Sequence, residues 1–201
     1  MRKALLPALL ALAALPGLAA AQPAVSAPPA KPAKPATTSA ATPAASSARQ
    51  FGEFIVRCTQ GKSVAPCDLY EERGDKNTGQ RLIGFSIGYM PSTARYIMQI
   101  AVPLGVSLDK GVIVSGGSFN SPRMAYRRCD QGGCYVEAPI DKSLIDAFAK
   151  LGDDAKIKVA ADGGKIYDFT FSFKGFSAAH DEMVAENKAK AVSPDSAGDG
   201  K

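Results

Sequence analysis

The stretch Arg127-Arg128-Cys129-Asp130-Gln131-Gly132-Gly133-Cys134-Tyr135 places two cysteines on either side of a four-residue, Gly-rich turn. Strand-like residues flank it, and it reads as a β-hairpin closed by a disulfide. Opposed residues across such a hairpin fall within the ~4.4–6.8 Å between α-carbons that the bridge spans. Cys58 and Cys67 are the chain's other cysteines. An even number in an exported chain points to two disulfides, because that compartment is oxidising. Three pairings are possible, and the local one, Cys58–Cys67 with Cys129–Cys134, is favoured. A zinc site is the alternative, but the spacing C-x8-C then C-x4-C is poor for a knuckle.

Outward from the hairpin the pattern stays that of strands. From Arg81 to Tyr89, Ile83, Phe85, Ile87 and Tyr89 share one face, and Leu82, Gly84, Ser86 and Gly88 the other. Alternation of this kind marks a half-buried strand. Arg95 to Val102 repeats it, with Tyr96, Met98, Ile100 and Val102 on one face. Phe54 to Cys58 and Pro66 to Tyr70 are short strands, and Glu71 to Gln80 reads as a charged loop. Val106 to Leu108 and Gly111 to Ser115 flank a turn at Asp109-Lys110, and Arg123 to Cys129 leads into the hairpin. Ala155 to Ala161 alternates, turns at Asp162-Gly163-Gly164, and returns with Tyr167, Phe169, Phe171 and Phe173 on what is expected to be a core face.

One short helix is expected after Asp141, an N-cap type, with Leu144, Ile145, Phe148 and Leu151 as its apolar stripe and Gly152 as its stop. A second short helix follows from Ser177 to about Val184. Short strands with turn signals every roughly 8–12 residues imply a mainly β fold, an antiparallel sandwich, with a closed barrel as the alternative.

Residues 1–21 carry a basic start (Arg2, Lys3), an Ala/Leu-rich run and Ala19-Ala20-Ala21, the pattern of a secretory signal peptide cut before Gln22. An uncleaved anchor is the alternative, but Pro7 and Pro16 interrupt the run and a span needs ~20 apolar residues. Residues 22–50 are Ala, Pro, Ser and Thr with Lys31, Lys34 and Arg49, a composition expected to form a disordered, semi-extended tether. The globular domain is expected over residues 51–185 and a disordered tail over 186–201.

The net charge of +5 belongs to the leader and tether. Arg2, Lys3, Lys31, Lys34 and Arg49 meet no acid in the first 50 residues, and the other 19 Lys/Arg face 19 Asp/Glu. A nucleic-acid module carries its own basic face, so that class is excluded for the domain. The tether can touch anionic lipid or cell-wall polymer weakly, through attraction that salt screens.

Catalysis has little to work with. His180 is the only histidine, lies beside Asp181 and Glu182, and has no G-x-S-x-G elbow to serve; it reads as a surface histidine. Asp153-Asp154 and Glu71-Glu72 are carboxylate pairs in apparent loops, where solvated charge is the simpler reading. Gly116-Gly117 and Gly132-Gly133 open no helix and read as a bend and a turn, not a phosphate cradle. No catalytic residue, cofactor or metal is expected. Arg123, Arg127 and Arg128 form the candidate contact for an acidic partner, with Arg123 and Arg127 on one strand face. The alternative is an exposed strand that discourages edge pairing.

Several ordered pieces occur together: Gly52-Glu53-Phe54-Ile55-Val56-Arg57-Cys58, Val102-Pro103-Leu104-Gly105-Val106, Tyr126-Arg127-Arg128-Cys129, Gly132-Gly133-Cys134-Tyr135 and Phe173-Lys174-Gly175-Phe176. In this set the domain resembles the invasion-associated locus B family of exported alphaproteobacterial proteins. That family usually carries Trp where this chain has Phe54, and this chain has no Trp. It also often has an acidic residue near Val114 to Gly117 that is missing here. The resemblance implies an immunoglobulin-like β-sandwich, an exported location in periplasm or at the cell surface, and no catalytic residues. For pathogenic members it implies a link to host-cell invasion. The function expected is a non-enzymatic binding module for an unidentified protein or envelope polymer.

Overall fold

The computed structural model describes residues 45–193. The expected signal peptide, most of the tether and the end of the tail lie outside the described residues. Eleven strands and two helices follow in order: β1 (Ala45–Phe51), β2 (Phe54–Thr59), β3 (Cys67–Gly74), β4 (Arg81–Met90), β5 (Arg95–Val102), β6 (Val112–Gly116), β7 (Phe119–Asn120), β8 (Tyr126–Asp130), β9 (Gly133–Ile140), α1 (Lys142–Phe148), β10 (Ala155–Ala160), β11 (Ile166–Phe171) and α2 (Phe176–Lys190). Seven strands form one sheet in the order β1-β2-β3-β4-β5-β9-β8, and four form a second in the order β11-β10-β6-β7. Every pairing is antiparallel, so the sandwich expected from the alternation is the fold.

The alternating residues explain the layers. Phe54 and Val56 of β2, Ile83, Phe85 and Ile87 of β4, and Met98 and Ile100 of β5 turn inward and are buried. The second sheet answers with Val112, Val114, Ile157, Val159 and Phe171. Six phenylalanines fill the centre. Phe54 lies 5.5–6.3 Å, centroid to centroid, from Phe85, Phe171, Phe173 and Phe176, and Phe148 reaches Phe85, Phe173 and Phe176. These edge-on and tilted contacts are the favourable aromatic geometries. They pack the middle of a core that has no tryptophan.

Asp141 caps α1 as expected, its carboxylate accepting from Leu144 N at 2.9 Å. The second helix is longer than the sequence suggested and runs five residues past the expected domain end at Ala185. Its stripe of Phe176, Ala179 and Met183 is buried, and so is Asn187. Asn187 completes the hydrogen bonds of Cys67, accepting from its N–H at 3.0 Å and donating to its carbonyl at 2.8 Å. Gly175 begins the helix at φ 88°, where a Cβ would strike the Phe51 carbonyl. Glu53 N donates to Lys174 O at 3.0 Å, so the β1–β2 turn and the helix start are joined.

Three other boundaries and the burial of one stripe differ from the sequence reading. The last six residues of the expected tether, Ala45–Gln50, are strand, because β1 finds a partner in β2. Strand β3 continues to Gly74, since β4 offers a partner through Arg81, and this carries Glu71 into the interior. The strand before the hairpin starts only at Tyr126, and its register shifts between Tyr126 and Arg128. A common face for Arg123 and Arg127 therefore does not exist. In the aromatic stripe Phe171 and Phe173 are core, but Tyr167 is 41% exposed because β11 is a sheet edge.

Candidate interaction surfaces

Both local bridges, Cys58–Cys67 and Cys129–Cys134, are formed. Cys58, Cys67 and Glu186 lie close together, but the two sulfurs are joined to each other and are not thiolate ligands. Among the described residues there is no free cysteine.

The three arginines singled out in the sequence do not meet in one patch. Arg128 is engaged on the outer face of the large sheet: its Nε donates to Glu137 Oε1 at 3.1 Å, it pairs with Asp130, and its guanidinium lies 4.0 Å from the Tyr135 ring centroid. Arg127 sits exposed at the register shift of edge strand β8. Arg123 lines a separate groove with Lys110 and Lys158, beside the small sheet.

The outer face of the large sheet is knitted to itself. Arg57 donates two bonds to Asp68, both at 2.9 Å, and stacks 3.7 Å over Tyr70. Arg81 donates to Gly132 O at 2.7 Å, and Gln99 to Glu137 at 3.0 Å. Between them the face is small: Gly84, Ser86 and Gly88. Arg57, Arg81, Arg128 and Glu137 are thus engaged within the face.

Two titratable side chains lie deeper than the sequence suggested. Glu71 is 3% exposed. Burial pushes its carboxyl up to about 8, against the pull of Arg73, whose Nη2 lies 2.6 Å from Oε1. Glu53 stands 3.4 Å from the same nitrogen, and Arg73 also leans 5.9 Å over Phe171. His180 packs between Phe176 and Tyr96. Asp181 lies 3.0 Å from its Nδ1 and the Tyr96 hydroxyl 3.2 Å from its Nε2. Both ring nitrogens are thus engaged within the helix-to-sheet contact, which is a packing role.

The unsatisfied surface is at one end of the sandwich. Among the described residues five large hydrophobic side chains are exposed, and four of them gather here: Leu104 (57%), Leu108 (57%), Ile166 (66%) and Tyr167 (41%). The loop that carries the two leucines is fastened to the β10–β11 hairpin. Ser107 N donates to Ala160 O at 2.9 Å, Ser107 Oγ to Ala161 O at 2.8 Å, and Asp162 N to Gly105 O at 3.0 Å. A groove of about 310 Å³ lies on the inner side of β11, lined by Leu82, Leu104, Tyr167 and Phe169 among others. A second, of about 320 Å³, lies on the outer side, with Ile113, Ile166 and Ala160 between Lys110, Arg123 and Lys158. Clustered exposed apolar side chains with a polar rim mark contact sites. The signal in the sequence was large apolar residues set among turn formers: Leu104 between Pro103 and Gly105, and Ile166 just after Gly163-Gly164-Lys165.

Comparison with known proteins agrees with this architecture. Residues 55–184 match the family described as Invasion associated locus B (IalB) protein. Invasion protein B homologs from Brucella abortus strain 2308 and from Brucella abortus biovar 1 strain 9-941 are each 24% identical over 149 residues, covering 73% of this chain and 85% of theirs. The crystal structure of invasion associated protein B from Bartonella henselae superposes with a TM-score of 0.59 at 20% identity, covering 71% of this chain and 99% of that one.

Proposed function

The chain belongs to the invasion associated locus B family, and on that premise we propose that it is a non-enzymatic, exported binding module of the bacterial envelope. Two disulfides suit an oxidising compartment, and the N-terminal residues have the pattern of a cleaved leader. Among the described residues no helix is long and apolar enough to cross a membrane. The observation that carries the reading is the apolar end built from Leu104, Leu108, Ile166 and Tyr167, fastened by hydrogen bonds rather than left as loose loops.

The test is crosslinking in intact cells with a photoreactive residue at Leu104 or Tyr167, and at Arg49 on β1 as the control. Discrete adducts from the first two positions and none from the third are expected. No adduct from either apolar position overturns the reading. Fractionation of the same cells should recover the protein, with its N-terminus at Gln22, from periplasm or cell surface.

A second reading, a part in host-cell entry, is favoured only by the names of the Brucella and Bartonella relatives. A clean deletion that leaves host-cell entry unchanged removes it.

A further inference from the structure

Strand β11 pairs on one side only, with β10. Its register against β10 is unbroken from Ile166 to Phe171. In an antiparallel ladder, successive residues turn their N–H and C=O alternately toward one neighbour and the other. The Ala160 carbonyl accepts from Ser107, on the side of β10 away from β11. Ala160 and its partner Ile166 are therefore a non-hydrogen-bonded pair. By the same alternation Ile166, Asp168 and Thr170 turn their N–H and C=O groups to the open edge.

The other sheet edges are protected in recognisable ways. Strand β7 has two residues, β8 is closed by a disulfide and broken by a register shift, and β1 is pinned to α2 through Arg49 with Glu182 and Glu186. Strand β11 has no proline and no bulge, and exposes Ile166 and Tyr167. An edge left in this state is a template for another strand.

The surroundings specify that strand further. The apolar grooves on both sides of β11 offer room for side chains that alternate between the two faces. On the outer face Lys158 stands directly across from Asp168, Arg123 lies near Asp109, and Lys156 donates to Thr170 Oγ1, so that Lys110, Arg123, Lys156 and Lys158 outnumber the two acids beside them. Asp168 is the one acid in β11. The charge next to the edge is thus positive.

We propose that β11 is a strand-accepting edge, which binds an extended segment of a partner protein that carries apolar residues at alternate positions and acidic residues beside Arg123 and Lys158. The proposal rests on the binding-module reading and names the class of partner. Strand addition takes its affinity from the main chain and its selectivity from pockets for alternate side chains. A lipid surface offers no regular row of alternating donors and acceptors to match the open backbone groups, and a second copy brings a second set of the same cations.

The probe is a labelled peptide of alternating Val and Thr with Glu at each end, titrated into the oxidised mature chain and followed by fluorescence anisotropy. Saturable binding is expected, and added salt should weaken it. Asp168→Pro removes one outward N–H at a position where an edge strand tolerates proline, and should weaken binding tenfold or more. Methylating alternate amides of the peptide should do the same with the protein untouched, which keeps the test independent of how the variant folds. Arg123→Ala with Lys158→Ala should lower affinity and flatten the salt dependence. Equal binding by the methylated and plain peptides overturns the proposal, as does no binding at all. A mature chain that is dimeric until Asp168→Pro makes it monomeric assigns the edge to a second copy instead. Uptake on anionic vesicles that Asp168→Pro leaves unchanged assigns the apolar end to lipid. If crosslinks from Tyr167 persist in cells while the peptide fails, only the strand mode falls; if both vanish, the binding-module reading falls with it.

Discussion

Cys58–Cys67 and Cys129–Cys134 bridge strand neighbours across short loops, with sequence separations of 9 and 5. Chain-entropy reasoning gives them nearly equal contributions, about 2.6 and about 2.1 kcal/mol. Their surroundings are unlike. The first lies beneath α2, with both cysteines buried and the Cys67 backbone held by Asn187. The second fastens an edge strand, and Cys129 is exposed. A bridge with a helix stacked upon it is expected to contribute more than the loop it closes, and a bridge at an open edge only its loop term.

Removing the bridges in turn separates the two cases. Cys58→Ala with Cys67→Ala should cost about 4 kcal/mol, near the top of the range for small exported domains, because the seat of α2 loosens as the loop opens. Urea unfolding with helix content followed in parallel measures it; a loss no larger than the loop term would show that the helix is indifferent to the bridge. Asn187→Ala, with both bridges kept, should cost about 3 kcal/mol, since it leaves a buried N–H and a buried C=O unpaired. In the bridge-less background the same change should cost less, because neighbours that share a partner are not additive. Cys129→Ala with Cys134→Ala should cost only about 2 kcal/mol, its loop term, with helix content unchanged.

Glu71 lies on the same inner face of β3, two residues from Leu69 and four from Cys67. Burial pushes its carboxyl from the ordinary 4.5 up to about 8, so the folded state holds the proton more tightly. Stability from this group is complete below about pH 4.5 and is lost as pH rises through about 8, with a slope of at most about 1.4 kcal/mol per pH unit. Urea midpoints measured across that window should fall with pH, and Glu71→Gln should flatten the fall. An unchanged slope in the variant would place the titration elsewhere.

Much of this could be read from the residues, and the exceptions have physical causes. The inward faces of β4 and β5 are legible because one side is apolar and the other small or polar, and the hairpin bridge because its turn is Gly-rich. Glu71 was not legible. A Glu-Glu pair has the look of solvated loop, and only pairing with β4 draws it inside. The reach of α2 was hidden because its stripe ends on Asn187, a polar residue whose burial makes sense only beside the Cys67 backbone. For the surface, the arginines were visible but their partners were not. Arg128 is occupied by Glu137, Asp130 and Tyr135, which come together only when β8 and β9 pair. Tyr167 shows the reverse case. Period two placed it with Phe171, but which strand forms an edge is a property of the sheet order, which no local pattern contains.

The contact of α2 with β1 through β4 joins the last described element to the first. Phe54, Leu69 and Ile87 lie far ahead in the chain of Phe176 and Met183, with which they share the core. Part of the inner face of the early strands is covered by an element near the end of the described chain. A chain lacking α2 would therefore leave that part of the early strands bare.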